Sequence, residues 1–213
     1  MSSDVLVTTP AQRQTEPHAE AVSRNRRQQA TFRKVLAAAM ATLREKSYAD
    51  LTVRLVAARA KVAPATAYTY FSSKNHLIAE VYLDLVRQVP CVTDVNVPMP
   101  IRVTSSLRHL ALVVADEPEI GAACTAALFD GGADPAVRAV RDRIGAEIHR
   151  RITSAIGPGA DPGTVFALEM AFFGALVQAG SGTFTYHEIA DRLGYVVGLI
   201  LAGANEPSTG GSE

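Results

Sequence analysis

Apolar residues recur every three or four positions along most of this chain, which is the spacing of one face of an α-helix. The clearest case follows Asp134 or Pro135, where Val137, Val140 and Ile144 begin an apolar stripe between arginines. The same spacing predicts helices over about residues 26–46, 53–60, 64–70, 74–89, 103–115, 119–129, 162–180 and 185–204. The pattern therefore predicts an all-α protein.

The most distinctive segment is 52–74, which reads TVRLVAARAKVAPATAYTYFSSK. It predicts a short helix capped by the Thr52 hydroxyl, a tight turn, and a second short helix with Pro64 at its first position. Small and hydroxylated side chains fill the second helix until Phe71, which we expect to return to the core. Such a helix can enter a DNA major groove, because small side chains permit close approach and hydroxyls reach phosphates and base edges. Two short helices joined by a turn also occur in proteins that bind no nucleic acid.

Prolines, glycines and polar stretches divide the chain into parts. Residues 1–22 are rich in Ser, Thr, Gln, Pro and charge, and predict a disordered N-terminal extension. Prolines at positions 90, 98 and 100 break the helical pattern and mark a linker. We expect an N-terminal three-helix helix-turn-helix domain over residues 23–74, a larger helical domain over residues 75–205, and a disordered tail over residues 206–213.

The distribution of charge favours DNA binding. The chain has 21 Lys and Arg against 21 Asp and Glu, so its formal net charge is zero. Residues 21–90 nevertheless hold 12 basic against 4 acidic side chains, whereas residues 91–213 hold 8 against 14. A basic N-terminal part beside an acidic remainder is typical of a protein that binds phosphates at one end.

The rest of the composition argues against several other classes. The two cysteines, Cys91 and Cys124, have no metal-ligand spacing, and we expect free thiols rather than a disulfide. The N-terminus lacks the apolar core of a signal peptide, and Glu169 interrupts the longest apolar run, so we expect a soluble, cytoplasmic protein with no membrane partner. The five histidines are scattered and no nucleophile motif is present, so we predict no enzyme, no metal and no cofactor.

Residues 31–80 resemble the DNA-binding domain of the tetracycline-repressor (TetR) family of transcriptional regulators. The specific part of the resemblance is the signature Tyr68-x-Tyr70-Phe71-x-x-Lys74-x-x-Leu77. The resemblance implies a helix-turn-helix that binds a double-stranded DNA operator, a ligand-binding and dimerisation domain behind it, a homodimer, and a small-molecule effector. Because a symmetric dimer presents two reading helices, the operator should be palindromic.

Three positions depart from the family pattern. Ser47 and Lys61 stand where the family usually has Gly, and Ala63 replaces the usual Ser cap of the second short helix. Lys61 must therefore tolerate the backbone geometry that Gly normally relieves. The lost cap should weaken that helix by roughly 1 kcal/mol, which Pro64 offsets in part.

Carried over residue by residue, the resemblance implies two groups of DNA contacts. Backbone phosphates would be bound by Thr52, Tyr68, Tyr70 and Lys74. Base edges or adjacent phosphates would lie near Arg54, Lys61, Ala65, Thr66 and Thr69. Among these only Arg54 and Lys61 are long cations, so one of them is expected to contact a guanine. A cation in the first turn of a helix opposes the helix dipole, and a DNA phosphate would compensate Lys74.

Three of these assignments have open alternatives. Arg26 and Arg27, together with Arg24, are either the solvated start of the first helix or a flexible arm that touches phosphate or enters a minor groove. Arg54 would otherwise be a solvated charge on its helix. Tyr68 would otherwise be a half-buried core tyrosine.

Small residues recur every four positions on the last two predicted helices. They are Ala167, Ala171, Ala175 and Ala179 on the first, and Ala190, Gly194, Gly198 and Ala202 on the second. Such stripes let helix backbones approach closely. They fit either packing of the two helices against each other or a two-fold symmetric four-helix dimer interface, which is what the resemblance implies.

A set of apolar residues between the linker and these helices could line a cavity for the effector. The set is Leu110, Val113, Val114, Cys124, Leu128, Phe129, Ile144, Ile148, Met170 and Phe173. A plain core would explain the same residues. His109 and His149 are the only candidate polar anchors, so the expected ligand is small and mostly apolar.

These inferences predict a dimeric, sequence-specific DNA-binding transcriptional regulator of the repressor type. A small ligand would shift helix 74–89 and change the spacing of the two reading helices. The alternative is a helical dimerisation or adaptor protein whose basic end binds an acidic partner and which ignores DNA.

Overall fold

We describe the protein from a computed structural model that covers residues 16–130 and 133–204, with side chains from residue 25 onward. The described residues contain helices and no strand, which confirms the all-α prediction. The helices are α1 Glu16–Leu43, α2 Val53–Arg59, α3 Pro64–Tyr70, α4 Lys74–Gln88, α5 Met99–Ala111, α6 Pro118–Asp130, α7 Pro135–Ile156, α8 Pro162–Gly180 and α9 Tyr186–Ala204. A 3-10 turn, Leu112–Val114, extends α5.

Two helices begin earlier than the sequence predicts. α1 begins at Glu16, so residues 16–22 of the predicted disordered extension are helical. Pro17 suits a first helical turn, and the Ala and Glu residues after it favour a helix. α5 begins at Met99 rather than near residue 103, because Pro100 is likewise accommodated in a first turn. Residues 1–15 and 205–213 lie outside the described part, where the disordered extension and tail remain predictions.

Side-chain caps fix several helix starts. The N–H of His76 donates to Ser73 Oγ at 3.0 Å, and the N–H of Ala136 donates to Asp134 Oδ1 at 2.9 Å. Ser73 is thus the cap of α4, and Asp134, which the sequence left as an alternative to Pro135 for the start of α7, is the cap of that helix. Ala63 precedes α3 without any side-chain cap, as its identity requires.

The first three helices share a small core. α1 contributes Val35, Leu36 and Leu43, which are almost fully buried. The ring of Phe71, which follows α3, is also fully buried and stacks on Phe32 with 5.1 Å between ring centroids. This aromatic pair holds the end of α3 against α1, which fixes the outward orientation of the opposite side of α3.

The helix α4 belongs to both parts of the protein. It packs against α1 on one side and against α6 and α7 further along. Arg143 of α7 donates to the buried carboxylate of Glu80, whose Oε1 also lies 3.5 Å from Nε2 of His76. Ser73 Oγ donates to Asp134 Oδ2 at 2.9 Å, so the caps of α4 and α7 are joined. α4 therefore links the N-terminal three helices mechanically to α7.

Two buried arginines close helix C-termini, where the last carbonyl groups have no partner within the helix. Arg151, only 1% exposed, donates from Nη2 to the carbonyls of Arg87 and Val89 at 3.2 and 3.0 Å. Arg102 donates to the carbonyl of Ala155 at 2.8 Å and to that of Ile156 at 3.1 Å. The first arginine ties the end of α4 to α7, and the second ties the end of α7 to α5.

The last two helices pack against each other, and α9 also packs against α5. Among the described helices, α8 is the one that is long and apolar enough to cross a membrane by length and composition. Only 22% of its apolar stretch is buried within this chain. Much of its apolar surface is therefore exposed in the single chain.

We expect the network around Glu147 to make stability fall in acid. Burial raises the pKa of Glu147, but hydrogen bonds from Arg150, Arg151 and Arg87 outweigh it and lower the pKa from 4.5 to about 2. A carboxylate with a lowered pKa stabilises the fold above its unfolded pKa and loses that contribution as the pH falls towards about 2. Glu147→Gln should remove on the order of 2–3 kcal/mol of unfolding free energy near neutral pH and little near pH 2, as measured by urea unfolding across this range.

The matched control is Glu119→Gln, since Glu119 is exposed and forms no ion pair within the described residues. It should leave the pH dependence of the unfolding free energy close to that of the wild type. If the unfolding free energy of the wild type and that of Glu147→Gln fell equally with decreasing pH, the loss of stability in acid could not be assigned to Glu147.

Candidate nucleic-acid interface and ligand cavity

The predicted helix-turn-helix is formed by α2 and α3. Thr52 opens α2, because its Oγ1 accepts the N–H of Leu55 at 3.1 Å. α2 ends in a Schellman motif, in which the N–H of Val62 donates to the carbonyl of Ala57 at 2.9 Å. Such a closure requires a left-handed residue just after the helix, and Lys61 takes that role with a φ of +52°. Lys61 thus adopts the geometry expected of the usual Gly.

One side of α3 faces solvent. Ala67 and the following Phe71 are fully buried, which turns the intervening positions outward. The exposed residues are Ala65, Thr66, Tyr68 and Thr69, which we call the reading face. Tyr68 is 52% exposed, so it is a surface side chain rather than the half-buried core tyrosine of the alternative.

The hydroxyl groups of Thr52, Tyr68 and Thr69 differ in whether their protons are free to be donated to DNA. Thr69 Oγ1 donates to the carbonyl of Thr66 at 2.7 Å, so its proton is already used, although its oxygen can still accept. The Thr52 oxygen is an acceptor in its cap, which leaves its proton free. Within the described residues, the Tyr68 hydroxyl forms no hydrogen bond. Because phosphate oxygens only accept, Thr52 and Tyr68 suit a phosphate, and Thr69 suits a donor on a base edge.

The nearby cations differ in whether they are already paired. Arg59 forms a double hydrogen bond with Glu45, at 2.5 and 2.6 Å, and is committed within the chain. Arg54 and Lys61 are exposed and take part in no ion pair formed by the described residues. Their charge is therefore available to a partner.

The basic residues before the core of α1 lie on a helix. Arg26 and Arg27 are exposed and helical, which contradicts the flexible-arm alternative for these two residues. The Arg24 side chain lies outside the described part. Exposure leaves both described guanidinium groups open to solvent.

Tyr70 and Lys74 are only half exposed, and both have partners inside the chain. The Tyr70 ring lies 6.1 Å from that of Phe32, edge to face, between ring centroids. Lys74 Nζ donates to the carbonyl of Tyr48 at 3.0 Å and lies 4.3 Å from the centroid of its ring. The positive charge of Lys74 in the first turn of α4 is thus already stabilised by the carbonyl and ring of Tyr48. The ammonium group has further protons that a DNA phosphate could accept.

The sequence model described as "Bacterial regulatory proteins, tetR family" matches residues 35–81. This match runs from the middle of α1 into α4 and includes the whole of α2 and α3. Residues 35–81 form a TetR-family domain. Of the residues predicted to contact DNA, all except Arg26 and Arg27 lie within it.

Solved structures extend the similarity to the whole fold. A TetR transcriptional regulator from Rhodococcus sp. RHA1 is 21% identical, with a TM-score of 0.69 over 83% of this chain and 98% of its own. A second transcriptional regulator from Rhodococcus sp. is 20% identical, with a TM-score of 0.59 over 81% and 96%. SmeT, solved as a complex with triclosan, is 18% identical, with a TM-score of 0.53 over 86% and 98%. The helices beyond the TetR-family domain thus follow the same fold as these regulators.

Behind the TetR-family domain, a cavity of about 610 Å³ lies among α4, α6, α7 and α8, beside the start of α9. Half of the predicted set lines it: Cys124, Leu128, Phe129, Ile144 and Phe173. The lining residues that the sequence did not single out are Tyr82, Gly121, Thr125, Arg141, Asp142, Gly145, Ala146, Leu176, Val177 and Tyr186. The wall is mostly apolar, as expected, and its hydroxyl groups come mainly from tyrosines.

The other half of the predicted set lies elsewhere, which corrects the prediction. The buried residues Leu110, Val114 and Ile148 fill the core without reaching the cavity. Val113 is half-buried in the 3-10 turn after α5, and Met170 is 51% exposed on the outer side of α8. Helical periodicity identifies which side chains avoid solvent but not which of them surround an unfilled space.

The polar anchors are also different from those predicted. His109 is exposed, and His149 pairs with Glu169 at 2.8 Å, so neither lines the cavity. Tyr82 and Tyr186 take that place. The sequence signal that could have placed Tyr82 in the interior is its spacing, four residues from both Ile78 and Val86 on a buried row of α4.

Both cysteines are free thiols, as predicted. Cys91 is half-buried, and Cys124 is buried in the cavity wall. Burial raises the pKa of the Cys124 thiol to about 12, so the group is neutral and unreactive at physiological pH.

We expect Lys61→Gly to stabilise the TetR-family domain. A left-handed residue with a Cβ costs about 1–2 kcal/mol, part of which glycine returns as unfolded-state entropy, so the unfolding free energy should rise by up to about 1 kcal/mol. Lys61→Ala is the matched control, because it removes the charge and keeps the backbone penalty. It should stay within about 0.5 kcal/mol of the wild type in urea unfolding. Equal stabilisation by both substitutions would attribute the effect to charge and contradict a strained turn.

Proposed function

We propose that the protein is a dimeric, sequence-specific DNA-binding transcriptional regulator, acting as a repressor that a small, mostly apolar ligand releases from its operator. The observation that carries the proposal is the reading face of α3. It presents only small and hydroxylated side chains to solvent, while Ala67 and Phe71 anchor the opposite side in the core. A rigid helix with such a surface fits closely into a major groove.

The proposed contacts follow from which groups are still free to bind. Thr52 and Tyr68 have hydroxyl protons available for phosphates, and Lys74 adds a charge at the start of α4. Arg54 and Lys61, unpaired within the described residues, are the long cations for a guanine edge. The further contacts are Ala65, Thr66 and Thr69 at base edges, and Tyr70, Arg26 and Arg27 at the backbone.

The proposed dimer uses α8 and α9. Each helix exposes a row of apolar or small residues at helical spacing: Phe166, Met170, Gly174 and Val177 on α8, and Tyr195, Gly198, Leu199 and Ala202 on α9. These rows only partly coincide with the small-residue stripes predicted from the sequence. Ala179 and Ala190 are buried within the chain, and Gly194 faces Thr104 of α5. A second copy packed on the exposed rows would bury the apolar surface of α8 without a membrane, as we propose for a soluble cytoplasmic protein.

The proposed effector site is the cavity against α4. SmeT, similar in fold, was solved with triclosan, a small and largely apolar molecule, and EbrR, a multidrug binding protein, was solved with imidazole. Because α4 carries both a cavity wall and the start of the DNA-binding surface, a ligand that prefers one position of α4 would change the spacing of the two reading faces. The ligand can release DNA only if it binds the form whose reading faces do not match the operator more tightly than it binds the DNA-bound form.

We expect Tyr68→Phe to weaken DNA binding by about 3- to 10-fold across all operator variants, because it removes one phosphate hydrogen bond and no charge. An operator selected from a randomised duplex library by the purified protein provides the probe, and fluorescence anisotropy gives the affinity. The slope of log operator affinity against log salt concentration should remain that of the wild type, because no charge is removed.

The control is Thr93→Val, which removes a hydroxyl from an exposed residue of the linker between α4 and α5. It should leave operator affinity unchanged, with its oligomeric state checked alongside. Unchanged affinity in Tyr68→Phe would refute the phosphate contact. Failure of the wild type to enrich any duplex would instead favour the adaptor alternative.

We expect Leu199→Glu to yield monomers at concentrations where the wild type is a dimer, as measured by analytical ultracentrifugation. Leu199 is 56% exposed in one chain, and burying an unpaired carboxylate between two copies should weaken association by at least about 100-fold. Val95→Glu places the same charge on a residue that is 83% exposed in the linker between α4 and α5, and should remain dimeric. A dimeric Leu199→Glu protein would rule out this face as the interface.

A further inference from the structure

The phenol of Tyr82 is the unusual group in the cavity wall. Tyr82 lies in the middle of α4, is only 6% exposed, and lines the cavity. Its hydroxyl forms no hydrogen bond within the described residues, and it is not among their fully buried unpaired atoms, which are Ser106 Oγ, Arg151 Nε and Thr153 Oγ1. Burial raises the pKa of Tyr82 well above its ordinary value, so the group keeps its proton at any physiological pH. The cavity therefore presents a hydroxyl donor that has no partner among the described residues.

The neighbouring hydroxyls are already engaged. Thr125 Oγ1 donates to the carbonyl of Gly121 at 3.0 Å. The ring of Tyr186 lies directly over Gly121, where a Cβ would come within 2.9 Å of it. Burial raises the pKa of Tyr186, and a hydrogen bond with Thr125 opposes that rise. Tyr186 thus lies against α6 with Thr125 as its polar neighbour, whereas the Tyr82 hydroxyl has no hydrogen bond within the described residues.

Among the described residues, the charged groups that line the cavity are Arg141 and Asp142, which are adjacent, opposite in sign and exposed on α7. The buried part of the wall that the described residues form is uncharged. Cys124, which also lines the wall, is neutral because burial raises its pKa to about 12. An ionic ligand would lose its hydration in this cavity without gaining a buried counter-charge.

We propose that the cavity binds an uncharged, mostly apolar molecule that carries a carbonyl-type oxygen, and that this oxygen accepts the proton of Tyr82. The proposal rests on the proposed function and names the ligand class of that same site. Tyr82 is then a specificity-determining residue, because a ligand without an acceptor leaves its buried donor unpaired. It also lies on the helix that joins the cavity to the DNA-binding surface, so the contact that selects the ligand acts directly on α4.

The test compares three probes of one size with the full-length protein: 2-acetylnaphthalene, its hydrocarbon analogue 2-isopropylnaphthalene, and the anion 2-naphthoate. Affinities are measured by fluorescence for the wild type, Tyr82→Phe and Tyr186→Phe. The wild type should bind 2-acetylnaphthalene at least about 10-fold more tightly than 2-naphthoate. Tyr82→Phe should weaken 2-acetylnaphthalene binding by about 3- to 10-fold while 2-isopropylnaphthalene binding stays equal or improves.

Tyr186→Phe is the matched control, since it removes a hydroxyl of the same cavity that lies against α6 beside Thr125. It should change the ratio of the two neutral probes by less than about 2-fold. An equal effect of Tyr82→Phe on both neutral probes, tight binding of 2-naphthoate, or no binding of any probe would overturn the proposal. Operator affinity of the same samples without probe shows separately whether the DNA-binding function holds, and thermal unfolding verifies that each variant is folded.

Discussion

The structure depends on a single constraint, which is that α4 is part of two cores and is held at its middle and at its end by buried polar groups. At its middle, Glu80 accepts from Arg143 and His76; burial raises the pKa of Glu80, but these two hydrogen bonds outweigh it and lower the pKa. At its end, Arg151 binds the last carbonyls. Removing one partner of such a pair leaves a buried charge or carbonyl unsatisfied, which costs more than the contact itself contributes. These buried contacts therefore hold α4 against α7 at two points.

The same constraint explains why His76 is a structural residue. Its Nδ1 accepts the N–H of Ser72 at 3.2 Å, so the other ring nitrogen carries the proton and faces Glu80. The imidazole thereby connects the turn after α3 to the middle of α4.

Much of the TetR-family domain could be predicted because its determinants are local. Thr52, Pro64 and Phe71 each specify a cap, a helix start or an anchor from their own chemistry, and the strained turn at Lys61 was expected from a single missing glycine. The ligand cavity could not be predicted in this way. Leu110 and Ile148 have the same periodicity as Ile144, yet only Ile144 reaches the empty space, because the packing of four separate helices decides where space remains. The small-residue stripes also mix buried with exposed positions for a similar reason: Ala190 has the spacing of Gly198 but faces the core.

Net charge is an equally incomplete guide, because pairing decides which charges a partner can use. Arg59 and Arg44 contribute to the basic character of the N-terminal part as much as Arg54 does. Each is nevertheless neutralised by a glutamate of the same chain, Glu45 in one case and Glu117 in the other. The pair between Arg44 and Glu117 also joins the end of α1 to the start of α6, which forms a second connection between the two parts, independent of α4. Both side chains of this ion pair are partly exposed, so it contributes at most about 1 kcal/mol, and the buried contacts of α4 are the stronger of the two connections.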